Sequence, residues 1–218
     1  MPKFDISQLP PAPDFSFETS LWKDGLRYVA GIDEAGRGAL AGPVAAAAFI
    51  FPPDPALDQQ LAGVRDSKEM TPQARYEWSG RLREIGLDWS VSFASPREID
   101  DLGIVPATLL AIRRAIAGLR LFPHHLLVDY LKLTDFSQPQ TALVKGDARC
   151  LSIAAASIMA KTSRDRLLCQ MDKRYPGYGF SNNKGYGTAA HRQAIHTLGA
   201  SPIHRFSFDP LRTLGDEG

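Results

Sequence analysis

Apolar residues recur along this chain in two rhythms, and the switches between them mark the elements. Residues 28–34 (YVAGIDE) form an apolar run that stops at two acids and Gly36-Arg37-Gly38, which predicts a strand closed by a glycine turn. Residues 43–51 are apolar, alanine-rich and short, a second and buried strand, and 88–94 (DWSVSFA) alternate as a third. Residues 126–130 (LLVDY) and 142–145 (ALVK) give two more short strands with polar ends.

Helical spacing fills the gaps. Thr71 as N-cap and Pro72 at the first helical position open a helix that Gly86 closes. A second runs from about 105 to 118, with Leu109, Ile112, Ile116 and Leu119 on one face. Residues 153–173 form a long helix whose first half (IAAASIMA) is apolar on every side and therefore buried; 188–198 form a last one, stopped by Gly199. This order predicts an α/β fold, a mixed sheet covered by helices. Residues 1–27 carry several prolines and no sustained periodicity, and are expected to be a tail or a strap over the surface, leaving 28–218 as a single domain.

A chain of 218 residues, 44% hydrophobic and 22% charged, can form a sizeable core without disulfides or a structural metal. Cys150 and Cys169 match no metal-ligand spacing and are too few for a secreted scaffold, so both are expected as reduced thiols in a cytoplasmic protein. The N-terminus lacks the apolar core of a signal peptide, and no apolar run approaches the roughly 18 residues of a membrane span. Net charge is +1, but it is unevenly spread: 141–212 holds eleven Lys/Arg against four Asp, near +7, and the remainder is near −6. Such asymmetry hints at an anionic partner.

The most informative residues are acids where acids are costly. Asp33 and Glu34 end an apolar strand, Asp129 ends LLVDY, and Asp147 follows a strand just ahead of the buried helix. Ends of central strands are where open α/β sheets place their sites. Carboxylates converging there repel one another unless a cation sits among them. Oxygen ligands without histidine or cysteine select Mg²⁺ or Mn²⁺, and two such ions about 3.5–4 Å apart suit in-line displacement at phosphorus. Adjacent strand residues point to opposite faces, so the strand is expected to end or bulge at Glu34 for both acids to reach one site. Each acid taken singly has an ordinary alternative as a cap or an ion-pair partner, Asp147 as a helix N-cap above all, and from spacing alone both readings stay open. Asp165 competes for the fourth position, but it follows Lys161 by four residues on a helix, where a salt bridge is expected.

Two other enzyme classes are set aside. A dinucleotide site needs G-x-G-x-x-G, and position 41 is alanine, followed by a strand and not a helix. A zinc hydrolase needs two histidines four apart on a helix, and His191 and His196 are five apart.

The same residues carry a family resemblance. GIDEAGRGALAGPV, RDSKEMT, EIDDLGIVPATLLAI, LLVDY, LVKGDARCLSIAAASIMAKTSRDR and NKGYGTAAHRQAIHTLGASPIHRFSF occur in the order seen in ribonuclease HII, the bacterial type 2 ribonuclease H, and span 29–208. The resemblance implies the RNase H-like fold, a five-stranded mixed sheet flanked by helices with a helical C-terminal part. It implies a metal-dependent endoribonuclease acting on RNA–DNA hybrids and 5′ of single ribonucleotides embedded in duplex DNA, with two Mg²⁺ or Mn²⁺ ions held by Asp33, Glu34, Asp129 and Asp147. Products would carry 3′-hydroxyl and 5′-phosphate ends.

By the same resemblance Gly36-Arg37-Gly38 reads the 2′-hydroxyl at the junction of ribonucleotide and DNA, and Tyr186 packs on the neighbouring deoxyribose. Glycines allow close approach to a sugar, and arginine can hold a phosphate through two hydrogen bonds. Lys68 and Lys184 are expected phosphate contacts, and the basic stretch 145–205 is expected to hold the duplex through its phosphates. The family has glycine where this chain has Tyr130, whose ring could crowd the site. An inactive hybrid-binding protein of the same fold is the alternative, although no acid is missing. The related ribonuclease HIII carries an extra N-terminal domain, which 1–27 is too short to supply. No clamp-binding motif is read in the C-terminal LRTLGDEG, no protein partner is evident, and a monomer is expected.

Overall fold

The computed structural model describes residues 9–134 and 136–212. The first eight residues of the expected strap and 213–218 of the C-terminal end lie outside them. Five strands, β1 (Val29–Ala35), β2 (Val44–Ile50), β3 (Asp88–Ala94), β4 (His125–Asp129) and β5 (Gln140–Leu143), form one sheet in the order β3-β2-β1-β4-β5. β1 to β3 are antiparallel neighbours, whereas β4 pairs parallel with β1 and β5 parallel with β4. The mixed sheet expected from the pattern is the one observed.

Helices cover both faces. α1 (Ser16–Lys23) precedes the sheet; α2 (Pro72–Ile85), α3 (Pro96–Leu102) and α4 (Ile104–Ala117) lie between β2 and β4; α5 (Leu151–Arg174), α6 (Phe180–Asn183) and α7 (Ala189–Leu198) follow β5. Residues of opposite parity on β2 enter opposite cores, as the pleat requires. Ala45, Ala47 and Phe49 pack with α2 and α5; Ala46, Ala48 and Ile50 pack with α4. The alanines of β2 are all fully buried, so small side chains let helices approach on both sides.

Thr71 caps α2 through its hydroxyl, Pro72 is its first residue and Gly86 ends it, as the sequence predicts. The fifth strand lies two residues earlier than expected, because Lys145 adopts a left-handed φ of 56° that ends extended structure. Three helices escape the pattern. α3 is only seven residues long but carries a capping box between Ser95 and Glu98, α6 has four residues, and α1 lies inside the expected strap. α1 buries Phe15 beside it and inserts Glu18, fully enclosed, whose Oε1 accepts from the Ser152 N–H at the start of α5 at 2.8 Å. Among the described residues no helix is long and apolar enough to cross a membrane.

Candidate active site

β1 and β4 run side by side with Gly31 opposite Leu127 and Ile32 opposite Val128, and one further step along both strands sets Asp33 beside Asp129. Alternation puts both acids on the face of Gly31 and Leu127, which α5 covers. Gly31 is required there: a Cβ would lie 2.0 Å from the Ser152 carbonyl carbon, so α5 rides directly on β1.

Asp147 arrives from another element, the 3-10 turn Gly146–Ala148 after β5. It does not cap α5, whose N-cap is Cys150. The Gly146 N–H instead donates to Asp129 Oδ1 at 2.7 Å and pins the turn to the end of β4. Carboxylate oxygens of Asp33, Asp129 and Asp147 lie within 4.8 Å of one another, with Asp33 5% and Asp147 2% exposed.

Glu34 is not part of that trio. β1 neither ends nor bulges at Glu34; its register with β2 continues unbroken through Glu34 opposite Ala46 and Ala35 opposite Ala45. The expected distortion is therefore absent from the backbone. Glu34 Oε1 accepts from Arg37 Nη1 at 3.2 Å, yet its charge still acts on Asp33 and Asp129 and feels Asp147.

Burial, and then the Glu34 and Asp129 charges, push the Asp33 carboxyl well above the usual carboxylate range. Burial and Asp147 raise Asp129 to about 6, against the Gly146 N–H. Burial also raises Glu34, with Arg37 opposing. Such mutual repulsion is what a bound cation relieves. The donors are all carboxylate oxygens at close range, so the residues present fit a hard divalent ion.

Other groups surround the trio. Lys68 Nζ lies 3.2 Å from Asp147 and 3.8 Å from Asp66, and although its enclosure works the other way, these acids raise its affinity for the proton. The expected phosphate contact thus sits among the carboxylates. Ser157 of α5 lies 2.9 Å from Ser67 and works against the rise in Asp33. Ser157 was detectable as one of the few polar residues in an otherwise apolar helical run. Asp165 bonds to Lys161 at 2.8 Å and lies 3.7 Å from Arg75, the ion pairing its spacing predicts. His191, fully buried, has its Nε2 3.1 Å from Nε2 of His204.

The glycine turn and the Tyr186 loop are brought together, because the N–H groups of Leu40 and Ala41 donate to the Gly185 carbonyl at 2.8 and 3.2 Å. Gly36 has a φ of 92°, and a Cβ on it would fall 2.0 Å from Arg164 Nε, so an internal contact demands that glycine. A Cβ on Gly38 would meet nothing within 4 Å. Tyr186 is 36% exposed, with Lys161 Nζ 5.4 Å from its ring centre. Lys184 Nζ donates to the Ser181 carbonyl of its own loop.

The basic stretch needs a correction: Arg164 and Arg205 are fully buried and cannot touch a phosphate. Tyr130 takes a left-handed φ of 57° and is 61% exposed, so glycine at that position has a backbone reason.

Comparison with known proteins agrees with this architecture. The family model described as Ribonuclease HII matches residues 30–210. Ribonuclease HII of Synechococcus sp. (strain JA-3-3Ab) is 52% identical over 204 residues, covering 93% of this chain and 90% of its own. Ribonuclease H2 from Pyrococcus horikoshii OT3 superposes with a TM-score of 0.73 at 27% identity, over 87% of this chain and 98% of that one. Bst-RNase HIII, solved in complex with Mn²⁺, shares the fold at 18% identity and a TM-score of 0.62, over 88% of this chain and 70% of its own.

Proposed function

The chain belongs to the ribonuclease HII family, and from that premise we propose that it is an endoribonuclease cutting the RNA strand of RNA–DNA hybrids and incising 5′ of single ribonucleotides in duplex DNA. It is a nuclease by family; the substrate and the point of incision are the proposal. The observation that carries it is the convergence of Asp33, Asp129 and Asp147 at adjoining strand ends, close in sequence to a glycine turn that is exposed at Gly38.

Asp33, Glu34, Asp129 and Asp147 would hold two Mg²⁺ or Mn²⁺ ions. When bound, such ions supply positive charge for in-line displacement at phosphorus, leaving 3′-hydroxyl and 5′-phosphate ends. Asp129 accepts from the Gly146 N–H and Asp33 from the Glu34 N–H, so two of the carboxylates are oriented before anything binds. The partly exposed Arg37, tethered to Glu34, stands where a phosphate near the turn would be met. The open space over Gly38 leaves room for a ribose, and the exposed face of Tyr186 suits a sugar without a 2′-hydroxyl. Lys184 and Lys68 would add charge toward the backbone. Residues 28–218 would act as one catalytic domain, with the preceding segment strapped to it through α1.

The test is cleavage of a DNA duplex bearing one ribonucleotide, beside a uniform RNA–DNA hybrid, with Mg²⁺, Mn²⁺ or EDTA. A metal-dependent cut 5′ of the ribonucleotide is expected. Cutting of the hybrid alone would remove the junction assignment, and binding without cutting of either would establish the inactive hybrid-binding alternative.

A further inference from the structure

Two arginines lie beneath the turn and the loop, each with 0% exposure. Arg205 donates from Nη2 to the Gly36 carbonyl at 2.7 Å, from Nη1 to that of Arg37 at 2.8 Å and from Nε to that of Gly42 at 2.9 Å. Arg164, on α5, donates from Nε to the Pro43 carbonyl at 2.8 Å, from Nη1 to that of Lys184 at 2.9 Å and from Nη2 to that of Ala41 at 3.0 Å. All six bonds run to main-chain oxygens. One guanidinium grips the glycine turn, the other grips the Tyr186 loop, and both grip the segment 41–43 between them.

Placing two cations in an apolar interior is costly, and a purely architectural role would not require it. Burial first, and then the Arg164 charge, bring Arg205 down to about 9, so the pair repel one another where they stand. A planar guanidinium has a geometric advantage that offsets this: its rigid fork fixes several carbonyls at once, which an ammonium cannot do. In a trans peptide the carbonyl and the next N–H point opposite ways, so carbonyls of Gly36 and Arg37 held inward turn the N–H groups of Arg37 and Gly38 away from the guanidinium. Gly36 and Gly185 are adapted to the same arrangement. A Cβ on Gly36 would strike Arg164, and one on Gly185 would lie 2.3 Å from the Ala41 oxygen.

We propose that Arg164 and Arg205 are positioning residues that lock the Gly36-Arg37-Gly38 turn to the Lys184-Gly185-Tyr186 loop, so that the two elements meeting the ribose and the deoxyribose keep a fixed spacing. Selectivity for the junction then depends on two side chains that never touch substrate. The inference rests on the assignment of those two elements as substrate contacts, but the locking can be measured without substrate.

The experiment has two arms. In the wild-type protein, native-state hydrogen exchange should show the amides of Ala39, Leu40, Ala41 and Tyr186 opening together with one free energy. In Arg205→Lys and Arg164→Lys, which keep charge and volume but lose the fork, protection should fall in both elements whichever arginine is changed. In the second arm, kcat/KM on the single-ribonucleotide duplex should fall roughly tenfold or more in each variant, as expected for misplaced binding groups. Cleavage of the uniform hybrid should fall much less, and its cut positions should spread. Independent opening of turn and loop in the wild type would overturn the proposal even if a variant fails to fold, and so would equal losses on both substrates. A wild-type protein that cuts neither substrate but shows joint opening would instead count against the substrate assignment, leaving the lock in place.

Discussion

Asp129 Oδ1 and the Gly146 N–H, seventeen residues apart, are joined by a 2.7 Å hydrogen bond that closes the carboxylate trio. A Cβ on Gly146 would lie 2.7 Å from Ile153 Cδ1 and 3.3 Å from Asp129 Oδ1, so a side chain there would press on the bonded carboxylate. The bond makes the placement of Asp147 depend on Asp129, so neither acid is a separate feature of the sequence.

Asp129→Asn keeps the acceptor for Gly146 while removing the charge. Turnover should fall more than about a hundredfold, as for loss of a catalytic charge. In EDTA the variant should nevertheless melt above wild type at pH 7.5. Asp129 is raised to about 6 in the fold, so its ionised form opposes folding: the penalty is absent below about 4, grows as pH rises through 6, and is complete above it. The gap in melting temperature should therefore close as pH is lowered from 7 to 4. Added Mn²⁺ should raise the wild-type melting temperature and leave the variant nearly unmoved.

Asp147→Asn and Asp165→Asn should separate cleanly. The first removes a member of the trio and should nearly abolish cleavage. The second removes ion pairs to the mostly buried Lys161 and Arg75, costing about 1–3 kcal/mol of stability and keeping most of the wild-type rate. Steady-state rates with denaturant melts on both variants would show it, and the reverse order would transfer the fourth ligand to Asp165.

The two glycines of the turn should respond differently to alanine. Gly36→Ala places a Cβ 2.0 Å from a buried guanidinium at a φ of 92° and should destabilise by several kcal/mol, on the order of other backbone-strain and overpacking changes. Gly38→Ala meets nothing within the protein, so its melting temperature should stay within a degree or two of wild type. Its KM for the single-ribonucleotide duplex should nonetheless rise about tenfold, in line with about 1.4 kcal/mol of lost contact. An unchanged KM would show that no sugar approaches Gly38.

Tyr130→Gly should be close to neutral. Relief of a left-handed backbone is worth about 1–2 kcal/mol, offset by the entropy a glycine loses on folding, about 0.5–1 kcal/mol. The ring is 61% exposed, so cleavage should change less than about threefold, comparable to other surface substitutions. A large gain in rate would mean that the ring crowds the site after all.

The sequence alone determined most strands, the four long helices and the acids, because these depend on local rules. Periodicity decides which face is buried, Thr71, Pro72 and Gly86 bound α2, and a carboxylate at the end of an apolar strand is conspicuous wherever it occurs. It also set adjacent Asp33 and Glu34 at one strand end, where the expected bulge is absent and the Glu34 charge still acts on Asp33 and Asp129. Contacts between distant segments were decided by tertiary structure. Only the parallel register of β1 and β4 puts Asp33 beside Asp129, and only packing shows that Arg164 and Arg205, two charges of the basic stretch, lie inside the protein. Charge counts cannot tell a buried guanidinium from a solvated one, since that distinction rests on which carbonyls other segments deliver, and chain folding alone brings residues 36, 41–43 and 184 to the same two side chains.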